Sequence, residues 1–185
     1  FDLYHFGSAT AFMGGNLKDT YFKLKEYAKS NNKIISFDAN YRESLFGNNK
    51  EEFIKCCKEF IVDSNIVKLS EEEAKLISGI EDIKEASQYI VNLGCENLMV
   101  TLGKEGTLLS NREKQILIKT KEVKMKDATG AGDAFIGAVI AQILNEPGKS
   151  MEKIVEMANL VGGITTTKLG ALESIPTWDE VFAYN

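Results

Sequence analysis

The sequence predicts an α/β fold in three layers, a mostly parallel sheet with helices on both faces. Three observations carry this. Short apolar runs alternate with helix-patterned segments of about ten to fifteen residues, the rhythm of βαβ units. A Gly-x-Gly break at Gly130–Gly132 leads into a segment apolar almost all round, the pattern of a buried helix. The 185 residues contain no internal repeat, no low-complexity tract and only two prolines, which leaves no room for a linker. The crossovers should be right-handed.

In chain order, Leu3–Phe6 is a short strand, followed by a Gly/Ser loop through Gly14-Gly15. Asp19–Asn31 has helical spacing, with Tyr21, Leu24, Tyr27 and Ala28 on one face. Lys33–Phe37 is a buried strand, and Asp38–Asn49 a loop. Glu51–Val62 is a helix with Phe53, Ile54, Cys57, Phe60 and Ile61 inward. After the strand Ile66–Leu69, Ser70 opens a helix through Ile77 that Gly79 stops. Ile83–Leu93 is a helix closed by Gly94, and Asn97–Leu102 a strand. Thr107–Leu109 and Gln115–Lys119 form a hairpin around Asn111–Lys114, and Glu122–Met125 is a candidate strand. Asp133–Leu144 and Met151 to about Thr166 are helices. Thr177–Ala183 closes the chain behind a Thr177…Glu180 capping box.

Composition narrows the function classes. A chain this long can bury roughly 70% of its unfolded surface. With 44% hydrophobic and 26% charged residues it is neither disordered, collagen-like nor a disulfide mini-domain. No run approaches a membrane helix. A net charge of −5 argues against a nucleic-acid binder. Cys56 and Cys57 are adjacent and Cys95 stands alone, so no disulfide framework is implied and the cytoplasm is the expected compartment. His5 is the only histidine, expected to be a packed strand residue; no His-based triad or metal cluster can form. The opening Phe1-Asp2-Leu3-Tyr4 has no initiator Met and no signal-peptide pattern. It reads as a strand begun in mid-flow, with the expectation of something upstream.

The chemistry concentrates in Asp127-Ala128-Thr129-Gly130-Ala131-Gly132-Asp133-Ala134-Phe135. Gly130 and Gly132 let the backbone turn sharply and approach a ligand. The unsatisfied N–H groups of the helix start, aided by the macrodipole, form an anion site. From Asp133 to Leu144 the only polar side chains are Asp133 and Gln142. A carboxylate beside a phosphate site is where a general base for phosphoryl transfer is useful. The plain alternative is that Asp133 caps the helix and the glycines are turn chemistry; on the residues alone the two readings stand even. Two other phosphate motifs fail. Gly148-Lys149-Ser150 ends like a P-loop, but the earlier Gly falls at Ile143, and Phe135 stands where a dinucleotide fingerprint needs its third Gly.

The segment Asp127–Phe135 resembles the signature of the PfkB, or ribokinase-like, carbohydrate kinases, differing by Ala128 where the family usually has Thr. Three further matches follow the family's order. Asp38-Ala39-Asn40-Tyr41-Arg42 is similar to the D-P-N-x-R of the fructokinase and 2-keto-3-deoxygluconate kinase branch, with Ala39 for Pro. Val100–Gly106 is similar to the nucleotide-side strand and turn. Ala158-Asn159 with Thr166–Ala171 resembles the adenine-side helix and loop.

The resemblance implies a ribokinase-like fold and ATP-dependent phosphorylation of a sugar hydroxyl, with Mg²⁺ bridging the phosphates. Asp133 would be the base, and the backbone of Gly130, Ala131, Gly132 and Asp133 would hold the developing charge. Asn40 and Arg42, with Asp133, would serve the sugar; the alternative for Arg42 is a solvated side chain. Lys68, Thr101, Gly103, Gly106, Gly132 and Asn159 would serve ATP, against an ordinary Gly turn and a polar helix surface. Asp127 and Thr129 match a monovalent-cation site, taking K⁺, though Asp127 also reads as a solvated loop residue. Glu73 matches a position that organises water around Mg²⁺, although Ser70…Glu73 is equally a capping box. The expected partners are sugar and ATP, with no nucleic acid and no membrane, and with room for a homodimer of a longer protein.

The match begins partway through a family member, so the chain reads as residues 1–185 of a C-terminal catalytic, nucleotide-binding part. The first strands and small β lid are expected to be absent, leaving the first strand at an open edge. Alternatives are a nucleotide-binding or assembly fragment without turnover, and a kinase of 2-keto-3-deoxygluconate, ribose or a nucleoside.

Overall fold

A computed structural model describes residues 1–184. Six strands stand in one sheet in sequence order: β1 (Leu3–Gly7), β2 (Ile34–Asp38), β3 (Ile66–Ser70), β4 (Asn97–Thr101), β5 (Thr107–Ser110) and β6 (Gln115–Ile118). β1 pairs with β2, and β2 with β3, in parallel. The chain divides into two compact units, residues 1–100 with 108–116 and residues 101–107 with 117–185.

In the first unit the helices are α1 (Gly15–Ser30), α2 (Glu43–Phe46), α3 (Lys50–Ile61), α4 (Glu71–Ser78) and α5 (Ile83–Leu93). β1 and β2 send Phe6 and Phe37 to one face, where Phe60 of α3 meets them at ring centroid distances of 5.2 and 5.3 Å. Phe12 and Phe22 close on the same ring at 5.2 and 4.9 Å. Each such pair contributes about 0.5–1.5 kcal/mol beyond its buried area. The α4 boundaries follow sequence logic: Ser70 accepts the Glu73 N–H in a complete capping box, and Gly79 ends the helix in the left-handed conformation.

Several expectations in this unit need correction. α1 starts at Gly15, not Asp19, because Gly14 in its extended, positive-φ conformation lets the helix begin at once. Its inward face differs too: Lys25 and Ala28 are buried while Tyr27 is 54% exposed. Lys25 can be buried because its ammonium donates to the Glu59 carbonyl at 2.5 Å while its stem lies along apolar surface. The stretch after β2 is not all loop, since α2 and a 3₁₀ turn at Gly47–Asn49 occupy it. His5 is exposed and hydrogen-bonded to Ser36 Oγ at 3.0 Å, its register partner on β2.

In the second unit α6 (Ala131–Asn145) packs on α7 (Met151–Thr165), and α8 (Trp178–Ala183) follows its Thr177…Glu180 capping box. The α6–α7 approach needs Gly162: a Cβ there would stand 3.2 Å from the Ala131 carbonyl oxygen. Gln142 is buried and ties both helices, its Nε2 donating to Ala138 and Ile154 carbonyls at 3.0 and 3.1 Å. α6 is less enclosed than its sequence predicts, with Leu144 exposed at its end. Glu122–Met125 is not a strand. Its amides find no ladder, and Val123 instead lies against Gly163 of α7. The Gly148-Lys149-Ser150 stretch is helix-connecting: Lys149 binds Gln142 and Glu146, and Ser150 caps α7.

The three cysteines are free and buried, and burial pushes the Cys95 thiol up to about 12. Among the described residues no helix is long and apolar enough to cross a membrane.

Candidate active site

In the second unit the chemistry centres on the start of α6. Gly130 is the N-cap, in the left-handed region at φ 79°, and no side chain caps this helix. Glycine is needed there twice over, because a Cβ would also stand 3.0 Å from the Ala171 Cβ. The helix thus begins two residues before the sequence-predicted start, and Asp133 occupies its third position rather than its cap. The alternative that Asp133 merely caps α6 is thereby removed. Its carboxylate is exposed at the positive end of a fifteen-residue helix.

The amides of this turn are not equivalent. The Ala131 N–H donates to the Ala128 carbonyl at 3.2 Å, and the first helical bond runs from Ala134 to Gly130 at 2.8 Å. Among the described residues the Gly132 and Asp133 amides find no acceptor. Of the backbone expected to form an anion hole, Gly130 to Asp133, the Ala131 amide is thus already engaged while those of Gly132 and Asp133 are open.

The segment leading in is clasped to the loop after α7. Asp127 Oδ1 accepts from the Thr129 amide at 2.9 Å and its hydroxyl at 2.6 Å, and Oδ2 accepts from the Gly170 amide at 2.9 Å. The Thr129 hydroxyl and the Gly170 and Thr129 amides hold the Asp127 carboxyl below the usual carboxylate range. The Thr166 carbonyl accepts from the Lys126 and Asp127 amides at 2.7 and 3.1 Å. Three donors thus converge on the Asp127 carboxylate, which fastens this loop; the K⁺ expectation for Asp127 and Thr129 stays a proposal.

Two expected ATP contacts are also structural. Asn159 is buried, its Oδ1 accepting from Thr107 Oγ1 at 2.6 Å and its Nδ2 donating to the Ile118 carbonyl at 2.8 Å. With both ends of its amide engaged, Asn159 ties α7 to residues 107 and 118. Gly106 is buried beneath the chain at 118–120, where a Cβ would meet the Ile118 oxygen at 2.1 Å. Gly103 differs: it is exposed, at φ 57°, with nothing within 4 Å of where a Cβ would stand. Thr101 ends β4, half-buried beside this turn.

In the first unit the structure gathers a second set at the C-terminal ends of β2 and β3. Asp38 and Lys68 are register partners on these strands and form a buried ion pair, Nζ to Oδ2 at 3.0 Å and to Oδ1 at 3.3 Å. Lys68 thus holds Asp38 here, and its expected place on ATP stays a proposal. Asp38 Oδ1 also accepts the Asn40 N–H at 3.1 Å. Glu73 is buried, with Oε1 accepting from the Tyr41 amide and Oε2 from the Ser70 amide, both at 2.7 Å. Asn40 is half-buried; Arg42 is exposed and donates to the Tyr41 carbonyl at 3.3 Å. Motif reading names Asp38 and Tyr41 only as members of the Asp38–Arg42 match and gives neither a role, although strand register would have flagged Asp38 opposite Lys68.

No group of three or more His, Cys, Asp or Glu side chains that could hold a metal is present among the described residues.

A family model described as pfkB family carbohydrate kinase matches residues 1–178. The chain belongs to the pfkB family. It is 32% identical over 188 residues to Fructokinase-1 of Oryza sativa subsp. japonica, covering 97% of this chain and 57% of that protein. Among solved structures, fructokinase from Vibrio cholerae O395 in its fructose, ADP and calcium ion bound form matches with a TM-score of 0.91 at 28% identity, over 98% of this chain and 60% of that one. An uncharacterized sugar kinase from Pyrococcus horikoshii in complex with ATP matches with a TM-score of 0.82 at 33% identity, over the whole of this chain and 57% of that one. The chain spans a little over half the length of Fructokinase-1 of Oryza sativa subsp. japonica and of Zea mays, and 89% of a putative fructokinase-8 of Arabidopsis thaliana.

Proposed function

We propose that these residues form the C-terminal, nucleotide-binding and base-bearing part of an ATP-dependent, fructokinase-like sugar kinase. The observation that carries the reading is the start of α6, where an exposed Asp133 carboxylate, spared from capping, lies one residue from the open Gly132 amide and carries an open amide of its own. Asp133 takes the proton of the sugar hydroxyl as that oxygen bonds to the γ-phosphorus of ATP. The bond from the γ-phosphorus to its bridging oxygen breaks and ADP leaves. The Gly132 and Asp133 amides hold charge that develops on the transferred group, and donors of this type are worth about 3 kcal/mol each in other enzymes. Gly103 leaves open backbone for the nucleotide phosphates, and Asn40 and Arg42 serve the sugar. Mg²⁺ carried on the nucleotide supplies charge neutralisation.

The fructose-bound and ATP-bound relatives support sugar and ATP as substrates, and the Asp38–Arg42 loop favours fructose or 2-keto-3-deoxygluconate over a nucleoside. A second reading is nucleotide binding by these residues without turnover. An ADP-release assay with fructose, ribose and 2-keto-3-deoxygluconate separates the two. The first reading expects sugar-dependent ADP release that Asp133→Ala lowers by about 10²–10⁴-fold; turnover unchanged by that substitution overturns it.

A further inference from the structure

We infer that Glu73 is a positioning residue for the sugar side of the reaction, forming with Asp38 a two-carboxylate clamp on the loop that presents Asn40 and Arg42. The purpose of the clamp rests on the sugar-kinase reading above; its geometry does not.

The loop needs holding. Asn40 has φ 42°, a conformation that residues other than glycine adopt sparingly and that persists where the surroundings enforce it. The Asp38 carboxylate accepts the Asn40 amide, and the Glu73 carboxylate accepts the next one, of Tyr41. Successive amides of one turn are thus held by two different acids, from the end of β2 and the first turn of α4. Both acids are fixed in turn. Lys68 grips Asp38 through both oxygens, and the capping box of α4 fixes Glu73, whose own amide donates to Ser70 Oγ at 3.2 Å. Packing supplies the rest: the Tyr41 ring lies 4.8 Å from Phe53 and 5.9 Å from Phe46, centroid to centroid.

Capping alone does not explain Glu73. A capping box uses one oxygen, here Oε2, and is served equally by Glu or Gln. The other oxygen reaches Tyr41, 32 residues away in sequence, and sits 7% exposed with the rest of the residue. A buried carboxylate accepting amides makes short, strong bonds, and this one spends one of its two on the backbone between Asn40 and Arg42. The backbone is therefore rigid where the Arg42 side chain is exposed, the arrangement expected of a contact residue whose aim is set from below.

Steady-state kinetics of Glu73→Gln tests this, with sugar, MgATP and free Mg²⁺ varied separately. Gln keeps one oxygen; with that oxygen held in the capping box on the Ser70 amide, its N–H₂ faces the Tyr41 amide and the clamp bond is lost. The expected result is a sugar KM raised by about tenfold, as for one charge-assisted hydrogen bond, with the MgATP KM and the Mg²⁺ dependence unchanged. A shifted Mg²⁺ dependence with an unchanged sugar KM overturns the inference, because Glu73 then serves the metal; so does a variant in which neither moves. If the wild-type protein phosphorylates no sugar, the kinase reading fails, and the clamp is then decided by amide hydrogen exchange. Faster exchange at Tyr41 in Glu73→Gln, with β3 amides unchanged, supports it. An unchanged Tyr41 amide, or acceleration shared by the β3 core, overturns it.

Discussion

The turn after β2 and the segment before α6 are fastened by the same chemistry in opposite surroundings. In each, carboxylates accept backbone N–H groups and set the path of a loop that carries candidate site residues. Asp38 and Glu73 do so from a buried position, beside a lysine and under aromatic rings. Asp127 does so half-exposed, from a loop whose neighbours are mostly solvated. Where water is excluded, each bond is stronger and its loss leaves a buried charge without compensation. Where water has access, the same bonds shape the loop but remain exchangeable. On the kinase reading proposed above, the buried turn would hold Asn40 and Arg42, and the half-exposed one would lead to the α6 amides proposed for phosphate.

The largest expected effect breaks the buried side. Asp38→Ala strands the Lys68 ammonium and is expected to cost about 3–5 kcal/mol in urea unfolding, whereas a double variant with Lys68→Met recovers most of that loss. Gly130→Ala strikes the other region through backbone conformation, forcing a side chain into φ 79° and against Ala171. A loss of about 1–3 kcal/mol is expected by the same measurement. The smallest effect is Asp127→Asn, a lowering of the melting temperature that is present at neutral pH and vanishes in acid. The sign follows from the depressed carboxyl: its folded value lies below the ordinary 3.8, so its contribution is complete above that pH and disappears as pH falls through the folded value. Melting curves of wild type and variant should therefore converge in acid, once the pH has fallen below the depressed folded value. A gap that widens in acid would contradict the tie.

Local logic is legible in the sequence. The capping boxes at Ser70…Glu73 and Thr177…Glu180, the Gly79 stop and the α5 span all depend on residues within one or two turns. The start of α6 is not legible, because Gly130 caps through its backbone, which leaves no side-chain signature. The site's scaffolding is hidden for a different reason, its distance along the chain. Lys68 meets Asp38 across 30 residues, Asp127 meets Gly170 across 43, and Thr107 meets Asn159 across 52. A motif marks Lys68 and Asn159 as interesting without saying which other parts of the protein they hold. Exposure on α1 departs from helical spacing because a lysine stem takes an inward position that the spacing assigns to apolar residues.

Asp133, a carboxylate at the third position of α6 with nothing to cap, is the centre of the proposed chemistry. The decisive measurement is kcat of Asp133→Asn with saturating sugar and MgATP, alongside its affinity for ATP. Asparagine keeps the size and the backbone amides and removes only the base. A fall in kcat of about 10²–10⁴-fold with ATP affinity retained is the predicted result; a kcat equal to that of the wild type would contradict it.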